Sequence, residues 1–173
     1  LQKRAGLLDG VVISGGEPTL QGGLLPFLKR VKDLGYRIKV DTNGSRPDTV
    51  AALLESGLCD YVAVDYKAPA EWYPAICGQG ADAGQVLKTI QLLSEGSLPF
   101  EVRTTVIPQL GREELTRMAK EIPASPRYVL NRYRVPDRYL PADEAKVLER
   151  ACSPEELQTL ADWITPWQPN VTI

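Results

Sequence analysis

The sequence lacks the features that mark several large classes of proteins. Its three cysteines are widely spaced, so they do not form a disulfide framework, and they favour a reducing cytoplasm. The net charge is −2, and no excess of basic residues suggests a nucleic-acid or membrane-surface partner. No apolar run approaches the ~20 residues that a membrane-spanning helix needs. We therefore expect a cytoplasmic protein that has neither a nucleic acid nor a membrane as its partner.

The chain instead contains a repeated alternation of apolar, β-branched runs and stretches with helical periodicity. Its 173 residues, of which 43% are apolar, are enough for one domain with a substantial core. The predicted strands are Val11–Ser14, Tyr36–Asp41, Tyr61–Asp65, Phe100–Val106 and Tyr128–Asn131. The predicted helices between them cover residues 22–34, 47–56, 84–95 and 112–121.

This alternation predicts an α/β fold with parallel strands, either doubly wound or a (β/α) barrel. The run YVAV is apolar on both faces, as expected of a parallel sheet covered by helices. A final helix is indicated by Ser153 as N-cap, Pro154 at the first helical position and Glu156 closing a capping box. We expect one domain over residues 1–173, with barrel units in 1–135 and a C-terminal loop and helix in 136–173.

Polar or charged residues lie in or directly after every predicted strand. The segments that carry them are Gly15-Gly16-Glu17-Pro18, Asp41-Thr42-Asn43-Gly44, Asp65-Tyr66-Lys67, Arg103-Thr104-Thr105 within the fourth strand, and Asn131-Arg132. Ligands of parallel α/β folds lie at the carboxyl ends of the strands, where these groups converge. The sequence therefore predicts a functional site at that end of the sheet.

The first of these turns has a composition suited to a ligand. Gly15 and Gly16 allow the backbone to run close to a bound molecule, Pro18 stiffens the exit, and the Glu17 carboxylate suits an ammonium group. Taken alone, the same four residues also describe a tight turn with a surface glutamate. Neither GxGxxG nor GxxxxGK[ST] occurs, so a nucleotide-phosphate cradle is not supported.

The ordered set of turns is more specific than any one of them. The phrases LLDGVVISGGEPTLQ, VDTNGSRP, DYVAVDYKAP and FEVRTTVIP resemble the radical S-adenosylmethionine (SAM) enzymes. More narrowly, they resemble the glycyl-radical-enzyme activating proteins, which include the anaerobic ribonucleoside-triphosphate reductase activating protein and pyruvate formate-lyase activating enzyme. The resemblance runs from about residue 7 to 135. It implies a partial (β/α) barrel of parallel strands, and because the chain starts at Leu1 rather than Met, we expect the first βα unit to be missing.

The resemblance also implies which residues hold SAM. The turn Gly15, Gly16, Glu17 and Pro18 would receive the amino group and methionine portion. Asp41, Thr42 and Asp65 match positions beside the SAM carboxylate, where a monovalent cation can bridge the acids. Lys67 and Arg103 match groups that contact SAM, and Asn43 and Gly44 shape the pocket. Two carboxylates beside a ligand carboxylate repel it unless a positive charge intervenes, so this mixture of charges is physically consistent.

Two departures from the family pattern are informative. Family members bind a [4Fe–4S] cluster through CxxxCxxC upstream of GGEP, whereas Cys59, Cys77 and Cys152 form no such motif. Of the three, only Cys77 follows a strand and could face the site. A single thiolate cannot hold a cluster that needs three or four, so we expect no cluster ligand in this chain. There is also no histidine, although pyruvate formate-lyase activating enzyme places one near SAM; a substitute would come from around Asn131 or Arg132.

The implied activity is that of an activating enzyme. SAM is cleaved reductively, and a radical is generated on a glycine of a partner enzyme, for which anaerobic ribonucleotide reductase is the first candidate. The electron would come from a reductant such as flavodoxin or ferredoxin. No side chain is required as a general acid or base, so no catalytic residue is assigned. Without cluster ligands, this chain alone is expected to be inactive.

Two alternatives remain open at this point. One is a radical SAM enzyme that acts on a small molecule, such as a 7-carboxy-7-deazaguanine synthase, since GGEP and TNG recur across the superfamily. The phrases around RTT and DYK argue against it. The other is a clusterless SAM-binding or partner-docking module that kept the scaffold.

Overall fold

The computed structural model describes residues 1–4 and 6–173, and the statements below concern those residues. Its strands are β1 (Gly10–Ile13), β2 (Arg37–Thr42), β3 (Tyr61–Asp65), β4 (Phe100–Val106), β5 (Tyr128–Arg132) and β6 (Val171–Thr172). Its α-helices are α1 (Leu24–Lys32), α2 (Pro47–Ser56), α3 (Tyr73–Cys77), α4 (Ala83–Glu95), α5 (Arg112–Glu121), α6 (Glu144–Val147) and α7 (Pro154–Ile164). Short 3-10 turns cover Gln2–Arg4, Pro18–Leu20, Ala70–Trp72 and Pro141–Asp143.

The strands form one parallel sheet in the order β1-β2-β3-β4-β5-β6. Parallel crossovers are right-handed, and successive strands here are always neighbours, so the connecting helices fall on the same face of the sheet. This is the arrangement of a (β/α) barrel that is not closed. The predicted α/β class and parallel partial barrel are therefore confirmed.

The two faces of the sheet differ in chemistry. Residues of the helix-covered face are apolar and buried, as Ile38 and Val40 of β2 and Val62 and Val64 of β3 show. The alternate residues point to the other, concave face, and several of them are charged. These concave-face residues are Lys39, Asp41, Tyr61, Asp65, Glu101 and Arg103. A face that carries so many charges is not packed like a hydrophobic core, so it is the natural place for a polar ligand.

The helix ends follow the local chemistry of the sequence. The Ser153 hydroxyl accepts a hydrogen bond from the Glu156 amide at 3.2 Å, and the Glu156 carboxylate accepts one from the Ser153 amide at 2.7 Å, which completes the predicted capping box. Gly57, which ends α2, has φ +62, a value that favours glycine.

Three elements were not predicted from the sequence: β6, α3 and α6. The two residues of β6 are too few to show an alternating pattern, and α6 has only four residues. Because Tyr128 and Val129 of β5 pair with Val171 and Thr172, the C-terminal segment joins the same sheet as the predicted barrel units. Within the described part of the chain, no helix is both long and apolar enough to cross a membrane.

Candidate functional site at the carboxyl ends of the strands

The turn after β1 is open toward the end of the sheet. Gly15 and Gly16 have φ values of +92 and +53, and both residues are exposed. A Cβ atom added at either glycine would meet nothing within 4 Å among the described residues. The glycines are thus required for the backbone conformation and not for close packing, which leaves the peptide groups of this turn accessible to a ligand.

The Glu17 carboxylate, in contrast, is buried and bonded within the protein. Its Oε1 accepts hydrogen bonds from the Thr19 amide (3.0 Å), the Thr19 hydroxyl (2.6 Å) and the Thr42 hydroxyl (2.7 Å), while Oε2 accepts one from the Asn43 amide (2.6 Å). These contacts tie the turn after β1 to the end of β2. The geometry therefore shows that Glu17 and Thr42 join the two turns, while the ligand-ammonium contact expected for Glu17 from the sequence stays a prediction.

The turn after β2 is held by its own side chains. Asn43 Oδ1 accepts from the Ser45 amide at 2.9 Å, and the Gly44 carbonyl accepts from the Thr89 hydroxyl at 2.7 Å. Gly44 has φ +73, and a Cβ there would lie 3.0 Å from both Val64 and Val86. Only glycine fits this position, so the turn that presents Asn43 is closely specified.

Arg103 joins the two aspartates that the sequence placed in the site. Its Nε and Nη2 donate to Asp65 Oδ1 at 3.1 and 3.0 Å, and its Nη1 donates to Asp41 Oδ2 at 3.3 Å. Burial by itself disfavours the charged guanidinium, but the charges of Asp65 and Asp41 raise the pKa of Arg103 above its usual range. The guanidinium thus occupies the bridging position between the acids that was predicted for a monovalent cation, and the structure gives no support to that cation.

Lys67 lies where two cavities meet. Its ammonium is 4.0 Å from Asp65 Oδ2. A cavity of about 230 Å³ is lined by Asp65, Lys67, Arg103 and Thr105, and a larger one of about 710 Å³ is lined by Asn43, Lys67, Tyr73 and Cys77. Lys67 is exposed and only loosely paired, so its charge is available to a ligand in either cavity.

Below this site, the concave face carries a second cluster of charges that sequence reasoning missed. Lys39 Nζ donates to Glu101 Oε1 at 2.8 Å, and Glu101 Oε2 accepts from the Tyr61 hydroxyl at 3.2 Å. Arg127 Nη1 lies 3.5 Å from the same Oε2. Burial alone raises the pKa of Glu101, but the hydrogen bond and charge of Lys39 outweigh it and hold that pKa below its usual value. Strand alternation places Glu101 on the same face as Arg103, so the sequence of β4 contained the information needed to predict Glu101 on the concave face.

One oxygen in the site is left without a partner. Asp41 Oδ1 is buried and has no hydrogen-bond partner within the described chain. The Lys39 ammonium lies 3.9 Å from this oxygen, which is too far for a hydrogen bond. A buried carboxylate oxygen without a hydrogen-bond partner is energetically costly, so Asp41 Oδ1 stands out among the acceptors of this cluster.

A layer of buried hydroxyls supports the end of β3 from the helix side. The Tyr66 hydroxyl donates to the Glu121 carboxylate, and the Tyr66 carbonyl accepts from the Thr104 hydroxyl at 2.6 Å. The Tyr73 hydroxyl accepts from the Lys67 amide at 3.1 Å. Burial raises the pKa of both tyrosines, so they stay neutral and act as fixed hydrogen-bonding groups. They hold the backbone on either side of Asp65 and Lys67.

The structure brings most of the predicted residues together. Arg103 contacts both Asp41 and Asp65, and Lys67 lies beside Asp65. Glu17 and Thr42 join the turns that carry Gly15, Gly16 and Asn43, and Pro18 is buried beneath them. Asn131 and Arg132 are exposed at the end of β5, and the Arg132 side chain donates to the Cys152 carbonyl.

Comparison with known proteins identifies the family. The sequence profile described as the Radical SAM superfamily matches residues 1–122. The chain belongs to this superfamily, as the phrases around GGEP, DTNG and DYK indicated.

Three relatives illustrate the range of the match. A candidate glycyl-radical enzyme activating enzyme of Methanocaldococcus jannaschii is 32% identical over 137 residues, which cover 76% of this chain and 57% of the relative. A 7-carboxy-7-deazaguanine synthase of Methanopyrus kandleri is 38% identical over 61 residues, which cover 34% of this chain and 23% of the relative. The crystal structure of a domain of pyruvate-formate lyase-activating enzyme from Bacteroides vulgatus superposes with a TM-score of 0.71 at 23% identity, covering 96% of this chain and 99% of that domain. Three curated relatives match most of this chain. The chain covers only about half of the length of each of them, namely 57%, 42% and 45%.

The family implies two groups, SAM and a [4Fe–4S] cluster, and the residues fit only the first. SAM carries an ammonium, a carboxylate and a sulfonium, and the strand ends offer accessible peptide groups, the unpaired Asp41 Oδ1, and the cations Lys67 and Arg103. The cysteines do not fit a cluster. Cys59 is buried at the amino end of β3, with its thiol bonded to the Tyr61 carbonyl, while Cys77 ends α3 and Cys152 precedes α7. Among residues 1–4 and 6–173, no group of three or more Cys, His, Asp or Glu side chains is arranged to hold a metal ion.

Proposed function

We propose that this chain is the SAM-binding part of a radical SAM enzyme that activates a glycyl-radical enzyme. The observation that carries the proposal is the convergence of the Gly15–Gly16 turn, the Asp41–Arg103–Asp65 cluster and Lys67 at one end of the sheet. Opposite charges held at fixed separations suit a zwitterionic ligand better than a singly charged one. The relatives with names of this activity cover more of this chain than the deazaguanine synthase does.

The proposed roles follow from the geometry of each group. The exposed peptide groups at Gly15 and Gly16 and the free Oδ1 of Asp41 accept hydrogen bonds from the SAM ammonium. Arg103 and Lys67 balance the SAM carboxylate, and Asn43 borders the same cleft. When bound, SAM supplies the radical chemistry of the family, and the residues of this chain bind it, orient it and keep water away from it. No residue here is assigned to proton transfer.

The direct test is a titration of SAM into this chain by isothermal calorimetry. We expect saturable binding at one site, weakened at least tenfold when Arg103 is replaced by Met, because a charged pair that serves the ligand is lost. The matched control is Arg30→Met, which also removes one positive charge, but from the exposed last turn of α1 at the amino end of the sheet. Equal binding by both variants, or no saturable binding by the parent, would contradict the proposal.

The proposal also concerns what the chain does alone. Incubated with iron, sulfide and a reductant, it should show no iron–sulfur absorption band and cleave no SAM, because its three thiols, within the described residues, form no group that could hold a metal ion. Stoichiometric SAM cleavage by this polypeptide would show that the assignment of the cysteines is wrong.

The partner enzyme is proposed by resemblance alone, as anaerobic ribonucleotide reductase. The test uses the complete coding sequence that contains this chain, with a flavodoxin or ferredoxin as reductant. A glycyl-radical signal in electron paramagnetic resonance is expected with anaerobic ribonucleotide reductase and not with pyruvate formate-lyase. The reverse result would reassign the partner without affecting the SAM site.

Two other candidates remain weaker. The match to a 7-carboxy-7-deazaguanine synthase favours a small-molecule radical SAM enzyme, but it covers only 34% of this chain. The placement of the cysteines also fits a clusterless SAM-binding or partner-docking module. The coding sequence upstream of Leu1 distinguishes the candidates, since a CxxxCxxC motif there favours a cluster-dependent enzyme.

A further inference from the structure

The unpaired oxygen of Asp41 lies close to an ammonium group that does not bond it. Lys39 and Asp41 lie two positions apart on β2, so both side chains point to the concave face. The ammonium lies 3.9 Å from Asp41 Oδ1, yet it donates to Glu101 Oε1 at 2.8 Å. Lysine has a flexible four-carbon stem and three donors, so a shift of roughly 1 Å would bring its ammonium within hydrogen-bond distance of Oδ1.

The contacts around Glu101 explain why this shift does not occur. Glu101 extends from β4, is almost fully buried, and opposes Ala63 of the intervening strand β3, whose methyl group leaves the Lys39 side chain room to pass. The Tyr61 hydroxyl and Arg127 fix the other oxygen of Glu101. The Lys39 ammonium also lies over the Tyr61 ring, 5.3 Å from its centre. The lysine is therefore held on the β4 side of the cluster, away from Asp41.

We propose that Glu101 is a positioning residue, which withholds Lys39 from Asp41 and so keeps the buried Asp41 Oδ1 without a protein donor, ready to accept a hydrogen bond from a cationic group of the ligand. Arg103 already binds Oδ2 of the same carboxylate, so capture of Oδ1 by Lys39 would leave Asp41 with a positive partner on each oxygen. A carboxylate satisfied in this way has little to offer an ammonium. The ligand is identified as SAM only through the proposed function, whereas the competition between Glu101 and Asp41 for Lys39 is a property of the chain itself.

The first test needs no ligand. Crystal structures of the parent, Glu101→Gln and Glu101→Met should show the Lys39 ammonium moving onto Asp41 Oδ1, most completely in Glu101→Met, which offers no acceptor. Glu101→Gln keeps an acceptor for Lys39 and should show the smaller movement, whereas Glu101→Leu offers none and serves if Glu101→Met fails to fold. A Lys39 ammonium that stays beyond hydrogen-bond distance of Oδ1 in the Met or Leu variant would overturn the proposal.

The second test is a rescue experiment, read as SAM affinity by calorimetry. Glu101→Met should raise the dissociation constant about tenfold, because Asp41 becomes unavailable to the ligand. Adding Lys39→Met should return it to within about twofold of the Lys39→Met single variant, because the competing ammonium is gone. If Glu101 and Lys39 merely stabilise the sheet, the double variant should instead bind worse than either single variant.

A matched control separates this effect from a general loss of positive charge. Lys29→Met on the exposed surface of α1 should not restore binding to Glu101→Met. Rescue by Lys29→Met as well would overturn the proposal. If the parent does not bind SAM, the proposed function is contradicted, and the position of Lys39 in the ligand-free variants then decides the inference alone.

Discussion

The two ends of the sheet are built differently, although the same strands form both. At the amino end, contacts are short and complete. Asp60 accepts from the Lys32 ammonium at 2.6 Å with each of its oxygens, and from the Ile38 amide at 2.6 Å. Cys59 is buried beside it and bonds the Tyr61 carbonyl at 3.1 Å. The amino end thus satisfies its own polar groups.

At the carboxyl end, the charged contacts are longer and incomplete. Lys67 and Asp65 are 4.0 Å apart, Arg103 and Asp41 are 3.3 Å apart, and Asp41 Oδ1 has no hydrogen-bond partner in the part of the chain that the structure describes. The exception is Glu17, whose four hydrogen bonds join the open turns. The difference shows that this end combines a rigid support with polar groups left free, as a preorganised binding site requires.

The largest expected effect comes from breaking that support. Glu17→Gln should lower the free energy of unfolding by about 2–3 kcal/mol, because the amide nitrogen of glutamine cannot accept from the donors around it and a buried charged hydrogen bond is lost. Urea denaturation measures the change. Glu55→Gln on the exposed side of α2 is the control and should change stability little. If Glu17 served the ligand and not the fold, stability would be unchanged and only SAM affinity would fall.

A somewhat smaller effect, on SAM affinity, is expected when Asp41 or Asp65 at the carboxyl end is altered. Asp65→Asn and Asp41→Asn should each weaken SAM binding by about 1–3 kcal/mol, the usual range for a charged hydrogen-bond partner. The double variant should fall well short of the sum, since both aspartates hold the same Arg103 guanidinium. Asp162→Asn on the surface of α7 is the control for charge. Fully additive losses, measured by calorimetry, would mean that the aspartates act independently.

The amino end should respond in the opposite way. Asp60→Asn should cost about 1 kcal/mol of stability, a low figure because the side chain is 38% exposed and solvent screens its charge. SAM affinity should stay the same, because Asp60 lies at the far end of the sheet. A loss of SAM affinity in Asp60→Asn without a loss of stability would remove the distinction between the two ends.

The smallest effect is a dependence of stability on pH. Burial alone raises the pKa of Asp60, but the Lys32 hydrogen bond and the Ile38 amide hold that pKa below its usual range. A lowered pKa stabilises the fold above the unfolded value, and that contribution is lost as the pH falls through the folded value. Urea midpoints measured below about pH 4 should therefore drop more steeply in the parent than in Asp60→Asn. Parallel curves would contradict this account.

Much of the fold was accessible from local patterns. The apolar runs at β1 to β5 and the capping box at Ser153 depend on neighbours in sequence, and both are present. The short elements α3, α6 and β6 were missed, since a strand as brief as Val171–Thr172 forms through pairing with β5 and not through its own composition.

The candidate site divides along the same line. The location of its members was predictable, because parallel strands bring their carboxyl-terminal residues to one edge of the sheet. The turns at Gly15, Asp41 and Asp65 were therefore expected to lie together. Their roles were not recognisable. The partners of a carboxylate depend on which donors the fold brings near it, as the contrast between the four hydrogen bonds of Glu17 and the unpaired Oδ1 of Asp41 shows for the described residues.

The order of residues alone therefore determines the parallel α/β architecture, the family and the end of the sheet where the site lies, because periodicity and turn chemistry are local. Only the tertiary structure decides that Glu17 joins the turns after β1 and β2, that Arg103 bridges two aspartates, and that Lys39 reaches across β3 to Glu101. The physical reason is that hydrogen bonds are effective over about 3 Å, and no sequence pattern records which distant groups come that close.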